Sequence, residues 1–393
     1  MFDDLKYNNF TKYQSEFRVV TFLYLSILLG IYSEDQTIKY LTMKNNIHDQ
    51  VSSYYGETLQ TSDDLKTNAC CTDIEYPRHI KDILSQLHDE TMSKYYGCGL
   101  TIPTNLEGLR VLDLGSGSGR DCYVASKLVG KEGHVIGVDM TDEQLKVADA
   151  HKDFHAEKFG FANVEFQKGN IEELGKLDIE KESLDLIISN CVINLATDKK
   201  AVLQGAYDLL KEGGEIYFSD VYSDRRIPQD LVDDPVLYGE CLSGALYWND
   251  FLTISKDVGF LDPRTVSSNR ITIEDEELME KVGNINFYSV TYRLMKLPKL
   301  ESDCEDYGQA VRYKGTIDHN KDAFELDDHH LFEAGRIKTV CGNTYMMLHD
   351  TRFKEHFDFW GDFSTHYGIF EGCGGSAPFN TENTNSDEAA PCC

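Results

Sequence analysis

Four cysteines lie in short motifs whose neighbours are not typical of a protein core. They are Cys70 in TNACC, Cys98 in YYGCG, Cys191 in SNCVINL and Cys241 in GECLSGALYW. A single cysteine is most often a small buried hydrophobe, which is the interpretation we keep for Cys122 on its helix. Four thiols beside glycines, amides or polar residues together favour a shared chemistry, the binding of a soft, thiophilic centre by thiolates.

The cysteine count and the charge of the chain limit its location and partners. Eleven cysteines occur at irregular spacings, without a C-x-x-C pair or a Cys/His pattern typical of zinc. Disulfide frameworks belong to small secreted domains, so we expect thiols in a reducing cytosol and a cytoplasmic location. The formal net charge is −29, and so acidic a chain repels phosphate backbones and anionic lipid surfaces. Nucleic acid and membranes are therefore not expected as partners.

From residue 109 onward, short apolar strands alternate with helical stretches. Strands are predicted at 109–115, 134–140, 163–169, 184–190 and 214–221, and helices at 119–129, 142–159 and 199–211. This alternation predicts an α/β fold with a Rossmann-like, parallel, doubly wound sheet. Right-handed crossovers bring the carboxyl ends of all strands to one edge, where ligands bind. Cys191 directly follows the fourth strand and is expected at that edge.

A glycine-rich loop follows the first of these strands, in VLDLGSGSGRD (111–121). Gly115, Gly117 and Gly119 allow a sharp turn and a close approach of the backbone to a ligand. Asp139 ends the second strand, 24 residues after Gly115, where a carboxylate can accept both ribose hydroxyls of a nucleoside. The alternative is a turn that only packs helix on strand, but the strand, the helix and Asp139 in register favour a cofactor site.

This arrangement resembles the class I S-adenosylmethionine-dependent methyltransferases over about 105–222. The resemblance implies that Asp113 and the glycine loop hold the methionine part of S-adenosylmethionine, and that Asn190 lies near the sulfonium. It also implies that Asp139 and Met140 flank the ribose and adenine, with Asn170 and Ile171 by the adenine. The implied cofactor-binding residues are Asp113, Gly115, Ser116, Gly117, Gly119, Asp139, Met140, Asn170, Ile171 and Asn190.

The four cysteines point to a more specific resemblance. Trivalent arsenic is a soft centre that takes three thiolates and keeps a lone pair able to attack the methyl of a sulfonium. The motifs TNAC, YYGCGLTIP, LDLGSGSGRDCYV, SNCVINL, YFSDVYSD and GECLSGALYW together resemble the arsenite methyltransferases of animals and algae, over about 44–295. The resemblance implies that Cys191 and Cys241 bind As(III) throughout, with Cys98 or Cys70 supplying further thiolates.

Further residues and partners follow from the same resemblance. Tyr96 is implied to gate the arsenic position, and Glu240 to lie beside it. Cys71 is adjacent to Cys70, which leaves open which of the two is the functional thiol. Arsenite–glutathione conjugates are the implied substrates, mono- and dimethylated arsenicals the products, and detoxification the outcome. Thioredoxin or glutathione is the implied reductant of disulfides formed in the site, and the chain is expected to be a monomer.

The pattern divides the chain into five predicted parts. They are an N-terminal extension (1–43), a methyltransferase domain that binds S-adenosylmethionine (44–222), an arsenic-binding middle domain that closes over it (223–297), a small α+β C-terminal domain (298–373) and a disordered, Cys-ending tail (374–393). Residues 234–260 are predicted to be helical, and strands are predicted at 264–275, 308–317 and 335–341. Beyond 297 the resemblance is weak and implies no role.

The N-terminal extension contains an apolar run at 19–32. That run is short for a membrane span. Acidic residues precede it and no cleavage site follows it, unlike a signal peptide. We predict that residues 1–42 are dispensable and that Met43 is the natural start.

Two other functions stay open at this point. A methyltransferase for an organic acceptor, such as a quinone or sterol carbon, would need a base and an apolar pocket, and cysteine substitutions would have little effect on it. A non-catalytic protein that sequesters arsenic would bind arsenic without S-adenosylmethionine, which the glycine loop and Asp139 argue against.

Overall fold

An eight-stranded mixed sheet forms the centre of the structure, a computed structural model that describes residues 76–95, 99–234, 237–238 and 241–372. The strands are β1 (Arg110–Leu114), β2 (His134–Asp139), β3 (Val164–Lys168), β4 (Leu184–Asn190), β5 (Leu210–Ser223), β6 (Leu246–Tyr247), β7 (Arg264–Arg270) and β8 (Phe287–Met295). Their order is β3-β2-β1-β4-β5-β8-β7, with β6 beside the end of β5. Strands β1 to β5 pair in parallel, which confirms the predicted parallel sheet.

Helices pack against this sheet and connect its strands. They are α1 (Arg78–Leu84), α2 (Asp89–Ser93), α3 (Arg120–Val129), α4 (Asp142–Ala150), α5 (Lys152–Phe159), α6 (Lys199–Leu209), α7 (Gln229–Val232), α8 (Trp248–Val258) and α9 (Glu276–Val282), with 3₁₀ turns at Ile171–Lys176 and Ile193–Leu195. The single helix predicted at 142–159 is two helices, because His151 between them leaves the helical conformation (φ −108°, ψ 10°).

Alternate side chains of β1 enter different parts of the core, as the pleat of a strand requires. Leu112 and Leu114 pack in the cluster that contains α6 and α8. Val111 packs in a second cluster, with Cys122 of α3. Helices thus cover both faces of the parallel part of the sheet, as in a doubly wound fold.

Residues 223–297 contribute to the same sheet as the parallel strands. Strand β8 pairs antiparallel with β5, and β7 pairs antiparallel with β8. The strand predicted at 264–275 is β7. The boundary of a middle domain at 223 stays a prediction.

The helix predicted over 234–260 is interrupted. Residues 237–238 are helical, the described residues from 241 to 245 form turns, and the long helix α8 begins only at Trp248. A Cβ on Gly244 would lie 2.4 Å from the carbonyl oxygen of Asn194. This close approach packs the turns against the 3₁₀ segment after β4 and brings them to the carboxyl edge of the sheet.

The described part of the C-terminal region contains three small antiparallel sheets and one α-helix. Its elements are β9 (Glu305–Asp306), β10 (Gln309–Tyr313), β11 (Ala323–Asp327), β12 (His330–Glu333), β13 (Ile337–Val340), α10 (Gly342–His349), a 3₁₀ turn at Lys354–His356, β14 (Phe357–Trp360) and β15 (Gly368–Ile369). Strands β10 and β13 confirm the two strands predicted after residue 297. These elements enclose their own apolar cluster.

A buried charge network joins this region to the main sheet. Glu215 of β5 is fully buried and pairs with Arg293 of β8 at 3.0 Å and with Arg352 at 2.6 Å. Burial opposes ionisation of Glu215, but the two guanidinium groups hold its pKa below the ordinary value. Removing one member of a buried pair typically costs about 3–5 kcal/mol, so this network resists separation of the two parts.

Candidate active site

A cavity of about 990 Å³, including its open mouth, lies at the carboxyl ends of β1, β2 and β4. Of the ten residues predicted to bind the cofactor, nine line this cavity: Asp113, Gly115, Ser116, Gly117, Asp139, Met140, Asn170, Ile171 and Asn190. Cys191 and Val192 line it as well. The topology thus brings residues from four separate motifs to one position.

The loop after β1 requires glycine at two points. Gly115 has φ +72°, and a Cβ there would lie 2.5 Å from a methyl carbon of Val192. Gly119, which does not line the cavity, has φ +85° and caps α3, and a Cβ there would meet the Phe166 ring at 2.8 Å. The hydroxyl of Ser116, in the same loop, is buried without a hydrogen-bond partner among the described residues. Such a cradle, with a polar group directed to no protein partner, fits a bound cofactor.

Asp139 is held by the loops on either side of it. Its carboxylate accepts hydrogen bonds from the backbone N–H of Gly117 at 2.9 Å and of Thr141 at 2.8 Å. Burial raises its pKa, although these N–H groups favour the ionised form. Each carboxylate oxygen has more than one lone pair. Asp139 therefore keeps the capacity to accept hydroxyl groups of a ligand.

Asp113 is buried at the inner end of the cavity and receives a hydrogen bond from the Cys122 thiol at 3.2 Å. Burial and the nearby Asp121 raise the pKa of Asp113 above the ordinary carboxyl range. Cys122 is fully buried, as predicted for a core residue. Its contact with a predicted cofactor residue is a feature that the sequence did not indicate.

Asn190, the last residue of β4, contacts Tyr95, Gly99 and Asp121. Its amide Nδ2 donates to the Tyr95 hydroxyl, lies 2.9 Å from the Gly99 carbonyl oxygen and lies 3.4 Å from Asp121 Oδ2. Arg120 stacks on the Tyr95 ring, 3.2 Å from its centroid. Tyr95, Arg120 and Asp121 were missed from the sequence. The only sequence signal for this group is the adjacent charged pair Arg120 and Asp121, which directly follows the glycine loop.

Cys191 and Cys241 come together above this edge although 50 residues separate them. The Cys241 thiol donates to the Cys191 carbonyl oxygen at 3.5 Å. Cys191 is 4 % exposed and Cys241 is fully buried. Both have left-handed backbone conformations, with φ of +56° and +60°, which cost about 1–2 kcal/mol for a residue with a Cβ. Strain held at two neighbouring residues is typical of a functional site.

Cys191 is oxidised in this structure. It forms a disulfide, whereas Cys122, Cys241, Cys304 and Cys341 are reduced thiols.

A buried acid and a half-buried lysine lie near the cysteine pair. Asp220 accepts hydrogen bonds from the backbone N–H of Asn194 and of Val221, both at 2.9 Å. Burial raises its pKa to about 7. Burial lowers the pKa of Lys199 to about 8, with Asp220 opposing that shift. Neither residue was singled out from the sequence, because one stands in an ordinary strand and the other begins an ordinary helix.

Four predicted site residues lie outside the described residues. They are Cys70, Tyr96, Cys98 and Glu240. The N-terminal extension, Cys71 and the tail from residue 373 lie outside them as well. Among the described residues, no helix is long and apolar enough to cross a membrane.

Two family models match the chain. One, described as a methyltransferase domain, matches residues 105–259. The other, described as the arsenite methyltransferase C-terminal domain, matches residues 307–384. The second match corrects the prediction that family resemblance fades beyond residue 297. Composition there is irregular and the strands are short, so the sequence pattern alone did not identify the family of this region.

Relatives similar over most of the chain bear the same description. An arsenite methyltransferase of Aquipseudomonas alcaligenes is 58% identical over 347 residues, covering 88% of this chain and 100% of the relative. The human arsenite methyltransferase is 46% identical over 316 residues, covering 79% and 83%. A solved structure of an arsenic(III) S-adenosylmethionine methyltransferase from Chlamydomonas reinhardtii is 50% identical, with a TM-score of 0.74, and covers 76% of this chain and 100% of that chain.

Similarity to quinone methyltransferases is much shorter. A demethylmenaquinone methyltransferase of Lactococcus lactis is 34% identical over 112 residues, which is 28% of this chain. Such a match covers less than a third of this chain. It therefore gives no support to an organic acceptor.

Proposed function

The chain belongs to the arsenite methyltransferase family and uses S-adenosylmethionine to methylate arsenic, and we propose that Cys191 and Cys241 hold the arsenic. The observation behind this proposal is their contact at the carboxyl edge of the sheet, on backbone strained at both residues. Two thiolates at that position place a thiophilic atom next to the cofactor cavity.

The cofactor cavity offers a distinct role to each of its polar groups. Asp113 would hold the cationic amino group of the methionine part, Asp139 would accept the ribose hydroxyls, and Asn190, which contacts Gly99, would lie near the sulfonium. S-adenosylmethionine, when bound, supplies a methyl group on a positively charged sulfur. The chain contributes position and exclusion of water, because holding two reactants in line accounts for much of a methyl transfer rate.

Arsenic reaches this site by exchange of sulfur ligands. Glutathione-bound As(III) is the proposed substrate, and each protein thiolate that bonds to arsenic releases one glutathione thiolate. Cys98 and Cys70, or Cys71 in place of Cys70, are proposed as further thiolates, with Tyr96 and Glu240 beside the arsenic. Only inorganic As(III) can use three thiolates, since one methyl group leaves two exchangeable positions.

The thiols must be reduced before arsenic can bind. The disulfide at Cys191 supports the proposal that thioredoxin or glutathione restores the active form by thiol–disulfide exchange. Both reductants belong to the cytoplasm, which is the proposed location. We propose a monomer as the working unit.

One assay tests the arsenic acceptor directly. Reduced protein is incubated with labelled S-adenosylmethionine, arsenite and glutathione, and the products are separated. We expect label in mono- and dimethylated arsenicals, and none when arsenite is omitted. Omitting glutathione and every other reductant should stop the reaction after at most one turnover. Steady turnover without any reductant would contradict the role proposed for thiol reduction.

A further inference from the structure

A second pair of thiols lies in the C-terminal region. Cys304 directly precedes β9, and Cys341 caps the amino end of α10. The two cysteines are 37 residues apart in sequence, yet their segments pack together. The Glu301 backbone N–H donates to Asn343 Oδ1 at 2.8 Å, and the Asn343 amide donates back to the Glu301 carbonyl oxygen at 2.8 Å. The two cysteine side chains are close enough to interact. Both are reduced. The methyl-transfer site described above uses neither of them.

The surroundings of Cys341 favour its thiolate. The Thr344 backbone N–H points to its sulfur at 3.5 Å, and the Thr344 hydroxyl lies 3.3 Å away. A guanidinium nitrogen of Arg264 lies 4.0 Å away. A side-chain hydrogen bond with Cys304, aided by Thr344 and Arg264, lowers the pKa of Cys341 against the effect of burial.

Arg264 is itself held in place by acids. It pairs with Asp262 at 2.7 Å and with Asp327 at 3.2 Å, and Asp327 also pairs with His330 at 2.7 Å. This network orients the guanidinium towards Cys341 and limits its movement. The positive charge of Arg264 is therefore held at a fixed position near the sulfur of Cys341.

The two sulfurs differ in access to solvent. Cys341 is 1 % exposed, while Cys304 is partly exposed. A ligand can therefore meet Cys304 first and Cys341 second. The second bond forms within the same molecule, and such a link can raise affinity about 10²-fold or more over a single contact.

We propose that Cys304 and Cys341 form a second binding site for trivalent arsenicals that have one organic substituent, such as monomethylarsonous acid. Two thiolates leave the third position of arsenic to a group that does not exchange. In the binding step, two As–O bonds break and two As–S bonds form. Each thiol proton leaves with one hydroxyl group as water, so the step releases two water molecules. No oxidant or reductant is required.

Alkylation mapping tests this site on the full-length protein. Reduced protein is treated with phenylarsine oxide, then with iodoacetamide, and labelling at each cysteine is quantified by peptide mass spectrometry. We expect loss of label at both Cys304 and Cys341, restored by dimercaptopropanol. In Cys341→Ser, the concentration of phenylarsine oxide that protects Cys304 should rise about 100-fold.

Cys304→Ser provides the reciprocal test, because that residue does not cap a helix and its loss leaves α10 intact. We expect its Cys341 to be alkylated in the presence of arsenical concentrations that protect the wild-type residue. Unchanged labelling of Cys304 in arsenical-treated wild type would overturn the proposal. Loss of label before arsenical is added, reversed by dithiothreitol, would show a disulfide instead and would overturn it as well.

Discussion

Two cysteine pairs among the described residues differ in their backbone conformation and in their polar surroundings. Cys191 and Cys241 both have left-handed backbone, which costs conformational energy, and Cys191 lines the cofactor cavity. Cys341 lies in relaxed, extended backbone (φ −70°, ψ 165°) and caps a helix, where it stabilises the fold. Backbone strain at the first pair indicates that the position of the sulfur atoms matters for function. At the second pair, Arg264 and Thr344 favour the thiolate form of Cys341, and the Cys341 backbone is not strained.

The largest expected effect is the difference in methylation rate between a variant of the first pair and a variant of the second. Cys241→Ser should abolish methylation of arsenite, because a serine hydroxyl is too hard and too weakly acidic to replace a thiolate. Cys304→Ser is the matched control, since it removes a partly exposed thiol outside the methyl-transfer site. Initial rates with labelled S-adenosylmethionine measure both variants. Equal loss in both would mean that the pairs do not have separate roles.

Asp139→Ala tests the cavity on which the first pair depends. We expect affinity for S-adenosylmethionine to fall by about 1.5–3 kcal/mol, the scale of a lost charge-assisted hydrogen bond. Titration calorimetry measures the change. Asp139→Asn keeps the shape and should fall between alanine and wild type. Wild-type affinity in Asp139→Ala would remove this residue from the site.

The pH dependence of cofactor binding tests Asp113. Its pKa is raised by burial and by Asp121 in the protein alone, and a cationic amino group beside it would lower that pKa. At pH values below the raised pKa, binding of S-adenosylmethionine would then release the proton of Asp113. The affinity for S-adenosylmethionine should therefore fall as the pH is lowered below that pKa, by at most about tenfold per pH unit. Asp113→Asn should bind more weakly and lose this slope. A slope retained in Asp113→Asn would assign it to another group.

The smallest expected effect measures the backbone strain itself. At position 191, the glycine variant should be about 1 kcal/mol more stable than the alanine variant, because glycine adopts left-handed backbone without penalty. At position 122, within α3, the same comparison should favour alanine by about 1 kcal/mol. Denaturant unfolding of the four variants gives both differences. The same sign at both positions would mean that Cys191 is not strained.

Features with local patterns were predictable from the sequence. Strands β1 to β5, the glycine loop and Asp139 follow from apolar runs, turn residues and spacing, which act over a few residues. The antiparallel addition of β8 and β7 was missed, because pairing partners distant in sequence leave no periodic trace. The contact between Cys241 and the Cys191 carbonyl depends on how the turns at 241–245 pack on the 3₁₀ segment Ile193–Leu195. The pairing of Cys304 with Cys341 depends on the C-terminal fold in the same way.

The most direct test of the account is the rate at which Cys191→Ser methylates monomethylarsonous acid, measured beside Cys70→Ser. The monomethyl substrate needs only two thiolates, so Cys70→Ser should retain the wild-type rate with it while losing activity on arsenite. Cys191→Ser should methylate neither substrate, although it still binds S-adenosylmethionine in a titration. A Cys191→Ser enzyme that methylates monomethylarsonous acid at the wild-type rate would contradict the assignment of arsenic to this edge of the sheet.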